Sequence, residues 1–571
     1  MSANAGTLGN VGAMDQAGAI ADQNKHPKGL YVLFGTEMWE RFSFYSMLAL
    51  FTLYLRDPAQ GFGWTATQAT SLYANYLMFV YASPLIGGLI ADKITGYRKA
   101  VMIGGVFFMI GHGLLSIPAL WAVYAALTCL VIGNGFFKPN VSTMVGNLYP
   151  EGSPLKDRAY NIFYMGINVG AWIAPIVMEI VKAYFGFHAA FAVAAFGMLI
   201  SVGILWYFKN LVENTEKGAL VVGDYVIKDA NQAADSAATA VDAPPHGISD
   251  QDEGGHQAAN KARQDLMNTV PDSRRVMALV VIFAIVIVFW MAFHQNGSTL
   301  TYWADDNTAW NVSGTISNSI NPFWIIVLTF PLVWFWGALA KRNMEPSTPT
   351  KMAIGMLLTG LSFFILYFAA TQGEGQKPTA EQLAGGSFRI NERVATNLKA
   401  DGVPQDVLDK IIAAKDADGK LLVNDVKFSP KEDATTKQTI SGEQHYIDTV
   451  NKAVPGAGTQ YRDAFLQRSY LFQVSAFWLI LAYAVISLGE LMLSPMGLSL
   501  VSKVAPIRMR GLLMGGWFVA TAIGNKLTMI GIYWSIWYQS SFFIVLGAMA
   551  VVMSIVLFML LKPLKKAMPG V

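Results

Sequence analysis

The sequence predicts an all-α membrane protein, with twelve transmembrane helices in two pseudo-symmetric six-helix bundles. Three observations carry that prediction. Of the 571 residues, 53% are hydrophobic and only 14% charged, with a mean hydropathy of +0.39; a soluble domain carries about 25% charged residues. Apolar stretches recur at the length of about 20 residues that a bilayer core demands. A polar stretch near the middle of the chain leaves six of them on either side. Helix is the economical choice for each, because an open strand in lipid would leave backbone groups unpaired.

A polar tail over 1–29 precedes the first span. It lacks the basic start, apolar core and cleavage site of a signal peptide, so the first span is expected to serve as the insertion signal. The spans are then expected at 30–55, 69–91, 99–118, 120–147, 160–182 and 188–208. Residues 209–275, rich in Ala, Asp and Gln and containing Pro244-Pro245, read as a flexible linker with a short amphipathic helix near 256–268. The second set follows at 276–300, 320–340, 351–371, 470–500, 511–533 and 540–562, with a tail over 563–571. Residues 372–469 interrupt it. They mix helical patterning, as in VLDKIIAAK over 407–415, with turn-rich segments, and two readings stand: a small domain or a loosely ordered loop.

Short-loop charges set orientation. One side carries Lys93, Arg98, Lys99, Lys156, Arg158, Lys341, Arg342, Lys351, Lys503, Arg508 and Arg510; the other carries Arg56 and Lys182. The richer side is expected to be cytoplasmic, with both termini and the 209–275 linker, which places 372–469 outside. The net charge of +3 is scattered and leaves no nucleic-acid footprint. The single cysteine, Cys129, excludes an internal disulfide framework, and the seven histidines show no metal-ligand spacing. No nucleophile elbow, Walker A loop or strand-linked Rossmann glycines are present, which argues against an enzyme.

Function is sought in the charges that fall inside spans, each costing about 2.5–3.5 kcal/mol at mid-bilayer on insertion scales. Glu37, Glu40 and Arg41 stand at i, i+3 and i+4, on one face of the first span. Two carboxylates beside one guanidinium leave excess negative charge, so either a second cation approaches or one glutamate takes a proton. Lys138, mid-way along the fourth span, is the evident second cation, and the cluster can then hold or release a proton. The plain alternative is a static ion network, although buried pairs contribute little net stability. Glu490 stands without a local cation in SLGELMLSP and suits a ligand ammonium, or else a protonated, hydrogen-bonded acid. His294 ends the apolar run VFWMAFHQ, and an imidazole titrates near neutral pH. Lys526 either snorkels outward or lines a cavity. Tyr45, Tyr73, Tyr76, Tyr81, Tyr164, Trp290 and Trp517 cluster near these charges. Gly166 and Gly170, four apart, permit close helix packing.

These segments carry a pattern. The chain resembles the proton-coupled oligopeptide transporter (POT/PTR) family of the major facilitator superfamily. The E-x-x-E-R-F motif is Glu37, Glu40, Arg41 and Phe42. GGLIADKITGYRK holds the superfamily's gating motif as Gly88, Asp92, Gly96 and Arg98. GNGFFKPNVSTMVGNLY is a specific family signature centred on Lys138. FYMGINVGA, QNGS, GELMLSPMGLSLVSKVAP and GGWFVATAIGN follow in order.

The resemblance implies the major facilitator fold and proton-coupled import of di- and tripeptides. It implies protons as coupling ion without any cofactor, a monomeric transport unit, and a plasma (cell inner) membrane location. Glu37, Glu40, Arg41 and Lys138 would form the proton-coupling cluster. Arg41 and Lys138 would also hold the peptide carboxylate. Glu490 and Asn321, with Asn168, would hold the amine and nearby backbone, and Tyr45, Tyr81, Trp290 and Trp517 would line side-chain pockets. Three departures stand out. Ala74 replaces a histidine that many relatives carry, Leu48 replaces an arginine, and His294 stands where many have an acidic residue. His294 is accordingly read as replacing that acidic partner in proton exchange. The 372–469 insert is similar in position to that of animal members. Rival readings are a family member moving another anion, for which an amine site would be superfluous, and a non-transporting receptor on the same fold.

Overall fold

The computed structural model describes residues 26–149, 155–215, 269–310, 312–432, 439–506 and 509–569. The proposed amphipathic helix at 256–268 and most of both the first tail and the linker lie outside them. The first set of helices is α1 (Lys28–Arg56), α2 (Ala66–Ile90), α3 (Tyr97–Leu114), α4 (Leu120–Asn147), and a run Leu155–Tyr207 that Gly186, at φ 85°, divides into α5 and α6. The second set is α7 (Asp272–Phe293), α8 (Ile320–Ala340), α9 (Thr348–Glu374), α10 (Ala476–Val504), α11 (Arg510–Leu527) and α12 (Gln539–Ala567).

Eight helical stretches among the described residues are long and apolar enough to cross a membrane, one of them holding both α5 and α6. The helices α1, α3 and α11 fall outside that set. α1 carries three charges at mid-length, α3 has only 18 residues and opens on Arg98 and Lys99, and α11 ends in Asn525-Lys526. Outward-facing side chains such as Trp121, Tyr184, Phe185, Trp334 and Leu512 are large, apolar and exposed, as lipid contact requires.

Two separate apolar cores organise the helices. One draws on residues from Leu30 to Val212; the other, apart from Ala66, draws on residues from Ala278 to Met568. Within each, glycines bring helices to backbone contact. A Cβ on Gly104 would stand 2.7 Å from the Gly133 carbonyl, joining α3 to α4. A Cβ on Gly355 would stand 2.6 Å from the Gly489 carbonyl, joining α9 to α10 in the corresponding place. Gly166 meets Phe34 and Gly170 meets the Met38 carbonyl, so the expected small-residue pair seats α5 against α1.

Several boundaries differ from those expected. The stretch 276–300 is not one helix. α7 ends at Phe293, a 3-10 turn covers His294–Gly297, and helix resumes over Thr299–Asp306. Neighbouring helices make the break tolerable by taking the released carbonyls. Thr52 Oγ1 donates to the Gly297 carbonyl at 3.0 Å, and the Tyr73 hydroxyl to that of His294 at 3.4 Å. α11 likewise tightens into a 3-10 segment over Thr528–Ser535, whose Ile532 carbonyl accepts from Thr67 at 3.3 Å. α10 starts at Ala476 instead of 470, and α12 continues past 562 to Ala567.

The insert between α9 and α10 folds around its own core of Phe388, Ile390, Leu398, Ile411, Tyr446 and Phe465, among others. It contains short helices, among them Glu392–Ala400, Gln405–Ala413 and Gly442–Ala453, and an antiparallel strand pair, β2 (Lys431–Glu432) with β3 (Thr439–Ile440). A parallel pair, β1 (Thr308–Ala309) with β4 (Val474–Ser475), ties its base to the end of the helix that follows α7. The insert therefore marks one end of the molecule, where α1 finishes and α2 begins. His26, hydrogen-bonded to Tyr149 at 2.8 Å, marks the opposite, tail end.

Candidate functional site

The two bundles meet along α2–α11 and α5–α8. Hydrogen bonds close this seam towards the insert end. Besides those from Thr52, Tyr73 and Thr67, Ser319 donates to the Trp172 carbonyl at 2.9 Å, and Thr70 pairs with the Tyr302 hydroxyl at 3.3 Å. Towards the tail end lies a cavity of about 120 Å³ walled by both bundles, with Tyr73 and Gly297 of that seam in its lining.

α1 brings Glu37, Arg41 and Tyr45 to that cavity on successive turns. Arg41 Nε lies 3.2 Å from Glu37 Oε1 and 2.5 Å from Glu40 Oε2, and Arg41 Nη2 donates to Glu40 Oε1 at 2.8 Å. The fork on Glu40 is bidentate, the stronger geometry for a guanidinium–carboxylate pair. Glu40 is fully buried and lies behind Arg41 instead of facing the cavity. Glu37 Oε2 is buried without a hydrogen-bond partner among the described residues. The Arg41 guanidinium also rests over the Phe44 ring at 4.9 Å.

α4 delivers Lys138, whose Nζ sits 4.9 Å from the Tyr81 ring centre and within electrostatic reach of Glu37 and Glu40. Tyr81 also meets the His294 ring edge-on at 5.5 Å, and His294 stacks on Trp290 at 5.4 Å and 22°. Lys138, Tyr81, His294 and Trp290 thus form one continuous wall. His294 occupies the turn where α7 breaks, and its Nε2 is buried with no partner among the described residues.

On the opposite wall Asn321, one residue into α8, donates to Glu490 Oε2 at 3.0 Å and to Ser487 at 2.9 Å. This amide holds the α10 carboxylate towards the cavity. Asn168 also lines the space, with its amide nitrogen turned back to the Tyr164 carbonyl at 3.0 Å. Trp517 lines it too, packed edge-on against Phe283 at 6.2 Å.

The gating-motif residues stand apart from the cavity. α2 ends in a widened, π-helical turn over Ala91–Thr95, and Gly96 takes φ 74°, a conformation that favours glycine. Asp92 sits in that turn, Gly88 lies near Pro139, and Arg98 donates to the Lys209 carbonyl at 3.3 Å beyond α6. Lys526 follows neither expected course: it hydrogen-bonds to Asn75 across the seam.

The sequence reading missed cavity residues such as Ser142, Ser494 and Thr521. Each stands four residues after a recognised one, namely Lys138, Glu490 and Trp517, so helical periodicity was the available signal. It also missed Asn296 and Asn318, which depend on the irregular turns around α7 and α8. Among the described residues no three His, Cys, Asp or Glu side chains gather as a metal site.

Known proteins resemble this chain in sequence and fold. The profile of the POT family (PTR2) matches residues 98–390 and 451–553. An uncharacterized transporter, YclF, of Bacillus subtilis (strain 168) is 28% identical over 96% of each chain. A di-/tripeptide transporter of Lactococcus lactis subsp. lactis is 28% identical over 95% of this chain and 97% of its own. The crystal structure of peptide transporter POT in complex with sulfate superposes with a TM-score of 0.64 at 25% identity, covering 95% of this chain and 96% of that one. The protein is a multi-pass membrane protein of the major facilitator type, and it belongs to the POT family.

Proposed function

We propose that this chain imports di- and tripeptides together with protons, by alternating access of one cavity to the two sides of the membrane. The observation that carries the reading is the placement of opposite charges on opposite bundles around one space. Arg41 and Lys138 belong to the first, and Glu490 to the second. A short peptide is a zwitterion, and one that spans the cavity meets a cation at its carboxylate and an anion at its amine. Its contacts draw the bundles together, so it binds open and occluded states with different affinity and biases the equilibrium between them. The di-/tripeptide transporter of Lactococcus lactis supports the cargo class.

Glu37 and Glu40 both hold Arg41. Protonating either carboxylate weakens that hold, and the guanidinium and Lys138 then accept the peptide carboxylate. Deprotonation on the far side restores the ion cluster and expels the carboxylate. His294, on the wall shared with Lys138 and Tyr81, exchanges protons with the cluster's surroundings. The loop holding Gly88, Asp92, Gly96 and Arg98 gates the tail end. We place the protein in the plasma (cell inner) membrane, with tails and linker cytoplasmic and the insert outside, as a monomeric unit needing protons and no cofactor.

Competition binding to the purified protein tests the cargo. Dialanine should bind, and blocking either its amine or its carboxylate should weaken it at least tenfold. A simple anion binding as well as dialanine would overturn the reading, because Glu490 offers an anion nothing.

A further inference from the structure

The insert touches both bundles through charge. It is carried by the second: its chain runs out of α9 and into α10, and the β1–β4 pair anchors it beside the helix that ends at Asp306. Arg389 is paired with Asp306, and Lys427 lies 2.9 Å from Asp305 and 3.4 Å from Asp306. Arg393 donates to Gln539, the first residue of α12, at 2.7 Å and to the Trp537 carbonyl just before it at 2.8 Å.

From this base the insert reaches over to the first bundle. Asp425 Oδ1 accepts from Arg56 Nη2, the last residue of α1, at 3.0 Å. Its second oxygen accepts the Ala66 amide, at the first turn of α2. That end of a helix attracts negative charge through its unpaired amides and its dipole. Lys420 Nζ donates to the Pro58 carbonyl at 2.7 Å, in the turn between α1 and α2. Asp425 and Arg56 are both buried, and Asp425 holds φ 60°, so the insert's own backbone bends to aim this carboxylate.

We propose that the insert is a clasp on the outer gate, and that Asp425 is its closing residue. It grips the α1–α2 turn while the insert end of the cavity is shut and must release it for that end to open. Charge suits this role. An apolar seam loses its driving force outright when it parts, whereas Arg56, Asp425 and Lys420 all pass into water, and hydration offsets the attraction they give up. The contacts of Arg56, Asp425 and Lys420 have to break for the bundles to separate here, among them that of Arg56 with the Tyr302 ring at 4.3 Å, and these three residues lie outside the transport cavity.

The proposal rests on the alternating-access reading, and its test uses no peptide, so failure of peptide uptake and failure of the clasp are separate results. In intact cells, Leu48→Cys in a Cys129→Ser background places one thiol in the cavity wall, for reaction with an impermeant maleimide added outside. Asp425→Asn or Arg56→Gln should each speed labelling several-fold, and the two together no further, since both open the same contact. Unchanged rates would overturn the proposal.

A second arm removes no buried charge. A Cβ built on Gly63 lies 3.4 Å from Lys420 Cβ, near the separation of about 3.8 Å in a disulfide. With Gly63→Cys and Lys420→Cys added, oxidation consumes those two thiols and should halt labelling at position 48 until reductant restores it. With the cross-link formed, labelling at the reduced rate after oxidation would show that the insert is no clasp.

Discussion

Arg41 divides its guanidinium between two buried carboxylates, and under the proposed mechanism that sharing makes it responsive to a proton. With both acids ionised, the guanidinium is fully engaged. Removing one partner's charge leaves a buried cation seeking another anion, and breaking a buried pair costs about 3–5 kcal/mol. The peptide carboxylate can supply the missing partner. Glu490 gives the complementary case. Its neighbours Asn321 and Ser487 are hydrogen-bonded to one another, and Asn321 also to the carboxylate, so the group is fixed in place. Glu490→Ala should weaken peptides with an unblocked amine at least tenfold while leaving N-acetylated ones within about twofold, as the loss of a charged hydrogen bond of about 1.5–3 kcal/mol implies. Equal losses for both, measured by competition binding, would remove the amine role. If His294 exchanges protons with the cluster as proposed, His294→Ala should shift the pH dependence of uptake. An unchanged profile would leave His294 as a packing partner of Trp290.

At the scale of the helix, position in the sequence explains some features and not others. The i, i+3, i+4 spacing of Glu37, Glu40 and Arg41 is local, and the structure keeps it on one helix face. Gly166 and Gly170 are local too, and they seat α5 on α1. The sequence did hint at the break in α7, since the apolar run ends at Phe293 and the polar HQNGST follows, but its cause was hidden. What permits the break comes from elsewhere: the hydroxyls of Thr52 and Tyr73 on other helices. The docking of the insert was equally hidden, since Arg56 and Asp425 stand 369 residues apart. The α1–α5 contact yields a sharp prediction. A Cβ on Gly170 would meet the Met38 carbonyl and stand 3.0 Å from the Phe42 amide, both backbone atoms that cannot move aside alone. Gly170→Val should therefore cost about 1–3 kcal/mol by overpacking and lower the melting temperature. Gly203→Val, with nothing within 4 Å of the added Cβ, should melt like the parent protein. Equal melting of the two variants would mean that the contact does not hold α1 in place.

Across the whole molecule, two independent cores make two bodies, and the seam between them is polar where it must part. Hydroxyls, amides and Lys526 bridge it near the insert, and the insert adds charge at its rim. Under the proposed mechanism, a peptide in the cavity and a proton on the α1 cluster are the two ligands that set which end is shut. An inward gradient offers about 2.3 kcal/mol per 100 mV for one charge, and about 1.4 kcal/mol per pH unit. Since about 1.4 kcal/mol is a tenfold ratio, a single coupled proton supports marked accumulation. The most direct test reconstitutes the purified protein in liposomes and follows labelled dialanine with and without an imposed acid-outside, inside-negative gradient, for the parent and for Glu37→Gln. The parent should concentrate dialanine only with the gradient. Glu37→Gln should lose that accumulation yet still exchange dialanine across the membrane. Dialanine entry indifferent to the gradient in the parent protein, or full accumulation by Glu37→Gln, would contradict the account.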